Sequence, residues 1–190
     1  FVQNWSYTIL QAKQFYRNMP VSGGLATPFL YGFLLHYLGH LFSIFWQDKM
    51  VAMMQSYIAT MPEASRAALE NLLATQAATP IGSQLIGGVF QAVLWLFLPA
   101  FVFHVLLNTT GGTKHCFETT FRVVAYASAA MVFQVIPFLG VFLMLGVLVY
   151  LIITGLREAH ELPQGRVSFI VLMPLLMVCC MAMVMSASMM

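Results

Sequence analysis

The stretch VFLMLGVLVYLIITGL, residues 141–156, contains no charged side chain and no proline. A helix needs about 20 mostly apolar residues to cross the hydrocarbon core of a bilayer, and this stretch supplies most of them. Its apolar residues do not alternate with polar ones, and it is longer than the roughly 10 residues of a barrel strand. The stretch therefore predicts a transmembrane helix rather than a strand.

The composition of the whole chain agrees with a membrane protein. Of the 190 residues, 61% are hydrophobic and 7% are charged, whereas a soluble domain has about 45–50% apolar and about 25% charged residues. The 8 Lys and Arg and the 6 Asp and Glu cannot cover a water-soluble surface of this size. This composition excludes a soluble enzyme, a secreted disulfide scaffold and a disordered chain. The net charge of +2 is too small for a surface that binds nucleic acid.

Five segments are long and apolar enough to be predicted as membrane spans. They are residues 28–46, 86–107, 117–136, 138–156 and 167–185. Pro99 and Pro174 lie inside the second and fifth segments and predict helix kinks there. The pair Ile136-Pro137 predicts a tight hairpin between the third and fourth segments. The sequence thus predicts an all-α integral membrane protein, with a single domain over residues 1–190.

Two further segments are predicted as helices outside the membrane core. Residues 5–17 form an N-terminal amphipathic helix in the headgroup layer, with Trp5, Lys13 and Arg17 as interfacial anchors. The pattern TMPE at residues 60–63 predicts the start of a second helix, in the outer loop, because it combines a capping residue with proline and glutamate.

The basic residues predict the orientation of the chain. A cytoplasmic N-terminus places six Lys and Arg inside and two outside, as the positive-inside rule requires. The six are Lys13, Arg17, Lys114, Arg122, Arg157 and Arg166, and the two are Lys49 and Arg66. With five spans the C-terminus is outside, and the expected location is the inner (plasma) membrane of the cell. Because the chain begins with Phe, we expect residues to precede it.

Histidines inside the predicted spans are candidates for function, because ionisable groups in a membrane are costly. His36 and His40 lie one helical turn apart in the first span, and His104 lies in the second. Two imidazoles at this spacing can bind a metal ion, but Tyr37 stands where an HExxH motif has glutamate. We interpret the three as neutral groups hydrogen-bonded between helices, with a metal or proton role as the alternative.

A second polar cluster is predicted where the cytoplasmic helix ends meet. Its members are His115, Glu118, Arg122, Glu158 and His160. The spacing of Glu118 and Arg122, at i and i+4, predicts an ion pair on one helix. The cluster is either a belt of ion pairs that anchors the helix ends or a site for a divalent metal such as zinc. No other cofactor is predicted, and bound membrane lipids are expected.

Three segments in the second half of the chain resemble a known family. They are NTTGGTKHCFETTFRVVAYASAA at 108–130, IPFLG at 136–140 and ITGLREAHELPQGR at 153–166. In this order they resemble the Yip-type family of Ypt/Rab-interacting integral membrane proteins, prokaryotic branch. The segment FYRNMPVSGGLATPFLYGFLL at 15–35 is similar to the bacterial members. The resemblance implies five spans, a cytoplasmic N-terminus, and a structural rather than catalytic role for Arg122, Glu158 and His160.

The functional expectations follow from the resemblance and from the missing motifs. Eukaryotic members resemble scaffolds that engage Rab GTPases through an N-terminal region and a motif that these residues do not contain, so small GTPase binding is not carried over. The single aspartate, Asp48, excludes a Ser-His-Asp arrangement. The leading hypothesis is a non-enzymatic scaffold or accessory subunit that associates with other membrane proteins or with itself. The alternatives are a small-solute or ion permease that uses the membrane histidines, and a metal-binding membrane protein.

Overall fold

The computed structural model of the chain describes residues 2–61 and 63–188, so Pro62 of the predicted helix start lies outside the described residues. The described residues form α-helices, one 3-10 helix and turns, with no strand among them. The helices are α1 (Val2–Leu10), α2 (Ala12–Arg17), α3 (Ala26–Ile58), α4 (Glu63–Ala78), α5 (Ile81–Thr109), α6 (Phe117–Ala127), a 3-10 helix (Ser128–Val135), α7 (Leu139–His160) and α8 (Gln164–Ser188). The all-α prediction is confirmed.

Three helices, α3, α5 and α7, are long and apolar enough to cross a membrane. They contain 33, 29 and 22 residues, respectively, and they correspond to the predicted first, second and fourth spans. Each is longer than predicted, and α3 continues from residue 46 to residue 58. The predicted count of five spans is not confirmed, because the search of the described residues identifies these three candidate spans.

The predicted third span, residues 117–136, is not one continuous α-helix. At Ser128 α6 gives way to the 3-10 helix, although 3-10 runs longer than three or four residues are uncommon. Nearly every side chain from Thr119 to Met131 is buried. This segment packs against α3, α5 and α7, so it forms the centre of the bundle. Small residues, including Ala125 and Ala129, allow the surrounding helices to approach it.

A tight turn connects the 3-10 helix to α7, as Pro137 predicted. The Gly140 amide donates a 3.0 Å hydrogen bond to the carbonyl of Ile136. Phe138 adopts a φ of +64°, which is uncommon for a residue with a Cβ atom. A Cβ atom on Gly140 would overlap the carbonyl oxygen of Phe133, so the turn requires glycine at this position.

The prolines of α5 and α8 lie inside continuous helices. Pro99 is in the middle of α5, and Pro174 is near the middle of α8. α8 contains the whole of the predicted fifth span, residues 167–185. The kinks expected from the missing amide hydrogen of each proline stay a prediction.

The N-terminal segment differs from the predicted interfacial helix 5–17. It consists of two short helices, α1 and α2, rather than one, and their apolar face packs against the bundle. A position in the headgroup layer stays a prediction. Trp5 Nε1 donates a 2.9 Å hydrogen bond to the carbonyl of Ala129. The buried Tyr16 hydroxyl lies 3.4 Å from the carbonyl of Val123. Periodicity alone identified the apolar face but not its protein partner.

A helical hairpin, residues 47–78, extends from the end of the bundle at which α7 begins. We call it the arm. It comprises the C-terminal part of α3 and all of α4. Trp46 donates to the carbonyl of Val135 at 3.2 Å and so marks where the bundle ends. Inside the arm, Ile58 and Leu73 are buried. The helix predicted after Thr60 is confirmed, since α4 begins at Glu63, and its position outside the membrane stays a prediction.

Candidate functional site

The other end of the bundle, which we call the charged end, brings several helix termini together. α3, α6 and α8 begin there, and α2, α5 and α7 end there. Six of the eight Lys and Arg residues belong to it, namely Lys13, Arg17, Lys114, Arg122, Arg157 and Arg166. These are the residues that the sequence analysis assigned to one side of the membrane.

Arg122 joins the loop between α2 and α3 to α6. Its buried guanidinium donates to Glu118 Oε1 at 3.1 Å, to the Gly24 carbonyl at 2.9 Å and to the Pro20 carbonyl at 3.2 Å. The Gly24 amide in turn donates to Glu118 Oε1 at 2.8 Å. The predicted ion pair between Glu118 and Arg122 is confirmed. Gly23 and Gly24 have positive φ angles of 134° and 89°, which residues with a Cβ atom rarely adopt.

Glu158 connects three helices through a single carboxylate. Its Oε2 accepts from Arg17 of α2 at 2.9 Å, and its Oε1 accepts from Arg157 at 2.6 Å. Arg157 also donates to Gln164, the first residue of α8, at 3.2 Å. Because the Glu158 side chain is only 8% exposed, these bonds satisfy a carboxylate that is nearly removed from solvent.

Two histidines contact Thr120, and a third lies beside one of them. The Thr120 hydroxyl lies 3.1 Å from Nδ1 of His104 and 3.2 Å from Nε2 of His160. The ring centroids of His115 and His160 are 5.9 Å apart. His160 is fully buried, and its Nδ1 has no hydrogen-bond partner among the residues that the structure describes. Sequence reasoning missed Thr120, because the local sequence around a threonine does not indicate which distant side chains it will contact.

Two ionisable groups at the charged end outside the membrane helices have shifted pKa values. An ion pair with Lys114 lowers the pKa of the Glu161 carboxyl, because the hydrogen bond favours the charged form. Burial raises the pKa of Tyr16 well above its ordinary value, because the phenolate would lose its hydration. Tyr16 therefore stays a neutral hydroxyl.

The structure does not gather the predicted metal ligands into one site. His115 and His160 are neighbours. Glu118, however, is paired with Arg122, and Glu158 is paired with Arg17 and Arg157. Within residues 2–61 and 63–188, no three His, Cys, Asp or Glu side chains are close enough to hold a metal ion. These contacts favour the belt of ion pairs over the metal site, and zinc binding stays a prediction.

The histidines of α3 lie away from this cluster. His40 Nε2 is 3.0 Å from the carbonyl of Gln84 and so connects α3 to the start of α5. Gly88 leaves the space for this imidazole, since a Cβ atom there would overlap it. His36 lies half-buried one turn earlier on α3. Because His40 contacts the start of α5 and His104 lies near the end of that helix, the three predicted membrane histidines do not form one site.

The family model of the Yip1 domain matches residues 7–186, which is nearly the whole chain. The chain belongs to the Yip1 domain family. No match was found among curated proteins or among solved structures. The family resemblance predicted from three segments is therefore confirmed, and two of those segments form much of the charged end of this Yip1 domain. With its long apolar helices, this Yip1 domain is a membrane protein.

Proposed function

We propose that this Yip1 domain protein is a non-enzymatic scaffold or accessory subunit of an assembly in the inner (plasma) membrane. Its five spans are α3, α5, α6 with the 3-10 helix, α7 and α8. The charged end faces the cytoplasm by the positive-inside rule, so that the arm and the C-terminus lie outside.

The arm is the observation that carries this proposal. α3 is about 50 Å long at 1.5 Å per residue, whereas the hydrocarbon core of a bilayer is about 30 Å thick. The arm exposes Met50, Met53, Met54 and Tyr57 beyond the bundle. Exposed apolar side chains beyond the lipid-covered region are typical of contact surfaces, and methionine adapts its shape to a partner.

The contacts of the charged end support the non-enzymatic part of the proposal. Arg122 is bonded to Glu118 and to the α2–α3 loop, and Glu158 is bonded to Arg17 and Arg157. These groups hold helix ends and loops together. A catalytic acid or base would instead need a face open to a substrate.

Photo-cross-linking in native membranes tests the role of the arm. A photoreactive residue replaces Tyr57, which is 67% exposed on the arm, and a control variant carries it at Phe142, which is 75% exposed on α7. We expect the Tyr57 position to give a discrete cross-linked protein and the Phe142 position to give lipid adducts. Native mass spectrometry of gently extracted protein should report the same partner, or a second copy of the chain.

The opposite result would be a monomer. A protein that is extracted from its native membranes as a monomer, and forms no protein cross-link from Tyr57, has no stable partner on the arm. That result would contradict the scaffold proposal.

A further inference from the structure

An open groove of about 620 Å³ lies between α2 and α7, beside the charged end. Polar side chains make up most of its lining. They are Gln11, Lys13, Gln14, Arg17, Asn18 and Tyr150. None of the histidines around Thr120 lines the groove, so it is separate from that cluster.

The groove extends along α7 from the charged end towards the interior of the membrane. Arg17 is bound to Glu158 near the C-terminal end of α7, and Tyr150 lies about 12 Å earlier along the helix axis. Since α7 is apolar and long enough to span a membrane, the groove leads from the polar end of the bundle towards the hydrocarbon core. Polar groups beside a lipid surface are favoured by an occupant that bonds to them.

Three of the polar side chains that line the groove make no contact that holds the fold together. Within the described part of the chain, the exposed side chains of Lys13, Gln14 and Asn18 make no hydrogen bond or ion pair. The Arg17 side chain is still 63% exposed although it is bound to Glu158. The lining thus contains two cations and no carboxylate, and the Glu158 carboxylate that binds Arg17 is shared with Arg157. The groove carries net positive charge and is complementary to an anion.

An apolar strip continues from the groove along α7. Leu143, Gly146 and Tyr150 are spaced three and four residues apart and so share one face of the helix. Leu143 is exposed, and a Cβ atom at Gly146 would meet nothing within 4 Å. Leu10 is exposed on the opposite wall. The strip is an open apolar surface next to a cationic one.

We propose that the groove between α2 and α7 binds the phosphate headgroup of an anionic phospholipid. Lys13 and Arg17 bind the phosphate, Gln14 and Asn18 bond to the polar part of the headgroup, and one acyl chain lies along the face from Tyr150 to Leu143. A phospholipid matches the groove better than a soluble phosphate does, because the cationic and apolar surfaces are contiguous. The site does not depend on a partner at the arm, so its test is independent of the scaffold proposal.

Native mass spectrometry of delipidated protein tests this site by titration with phosphatidylglycerol and, separately, with phosphatidylcholine. We compare Lys13→Glu with Arg166→Glu, a matched control that makes the same charge change at the same end, on an exposed side chain outside the groove. The wild-type protein should retain one phosphatidylglycerol more tightly than phosphatidylcholine. Lys13→Glu should weaken that binding by about tenfold, which corresponds to one charged contact. Lys13→Arg should retain it, and Arg166→Glu should leave it unchanged.

Several outcomes would overturn the proposal. Unchanged binding in Lys13→Glu would show that the lipid does not bind in the groove. An equal loss in Arg166→Glu would show that the loss of binding comes from general surface charge. Equal affinities for phosphatidylcholine and phosphatidylglycerol would show that the groove does not select anionic headgroups. Glycerol phosphate that binds as tightly as the lipid would assign the groove to a soluble phosphate. Unfolding temperatures without lipid should match the wild type, because Lys13 has no partner in the described fold, and Lys13→Gln provides a second, neutral variant.

Discussion

Arg122 holds the loop between α2 and α3 on the bundle through a single side chain. Its planar guanidinium reaches Glu118 and two backbone carbonyls at the same time. Lysine carries the same charge but lacks the fixed fork of donors, so it cannot reproduce this arrangement. A buried charge that loses some of its partners is costly, because the remaining acceptors stay desolvated.

We therefore expect Arg122→Lys to lower the free energy of unfolding in detergent by about 1–3 kcal/mol. Limited proteolysis should cut the loop near Gly24 faster in this variant, because the loop loses the bonds from Arg122. Arg166→Lys, on an exposed side chain of the same end, is the control and should behave as the wild type does. Equal stability and equal cleavage in both variants would show that the guanidinium is not needed.

At the scale of whole elements, α7 packs against α2 and α6 through a glycine. A Cβ atom at Gly155 would lie 2.5 Å from Val123 Cγ1 and 3.0 Å from Tyr16 Cε1. A Cβ atom at Gly146 on the same helix would meet nothing within 4 Å. Gly155 is therefore needed for helix packing, whereas Gly146 is not.

Replacing each of these glycines by alanine gives a matched pair. Gly155→Ala should destabilise the protein by about 1–3 kcal/mol, because α2 or α6 must shift to admit the methyl group. Gly146→Ala should stabilise it by up to about 1 kcal/mol, because alanine is the better helix former. Unfolding in detergent measures both. A stable Gly155→Ala would mean that α7 is less tightly packed than the contacts indicate.

At the scale of the molecule, the basic residues are distributed unevenly between the two ends. The charged end has six of the eight Lys and Arg residues, and the arm side has Lys49 and Arg66. This asymmetry predicts one orientation in the membrane, with the charged end in the cytoplasm. The native Cys116 is exposed at the charged end, and Ala59 is exposed on the arm.

Single-cysteine variants of the chain test this orientation in intact cells with a maleimide that does not cross membranes. Ala59→Cys should react in intact cells, because the arm lies outside. Cys116, in a variant without the other cysteines, should react only after the membrane is permeabilised. The reverse pattern would place the charged end outside and contradict the predicted topology.

The sequence by itself determined the class of the protein, the apolar helices and the segregation of charge. Composition and run length identify a membrane protein because a bilayer requires long apolar helices. The pair Glu118 and Arg122 and the turn at Pro137 were also predictable, since both depend on residues close together in the chain. Family segments predicted the Yip1 domain, which the match confirmed.

Only the tertiary structure decided which distant groups meet. Arg122 bonds to carbonyls about a hundred residues away in the chain, and no spacing rule indicates such partners. The division of the predicted metal ligands between separate ion pairs, the meeting of His104 and His160 at Thr120, and the packing of α1 and α2 on the bundle are of the same kind. Periodicity reports which face of a helix is apolar, whereas the neighbour of that face depends on how all the helices pack together.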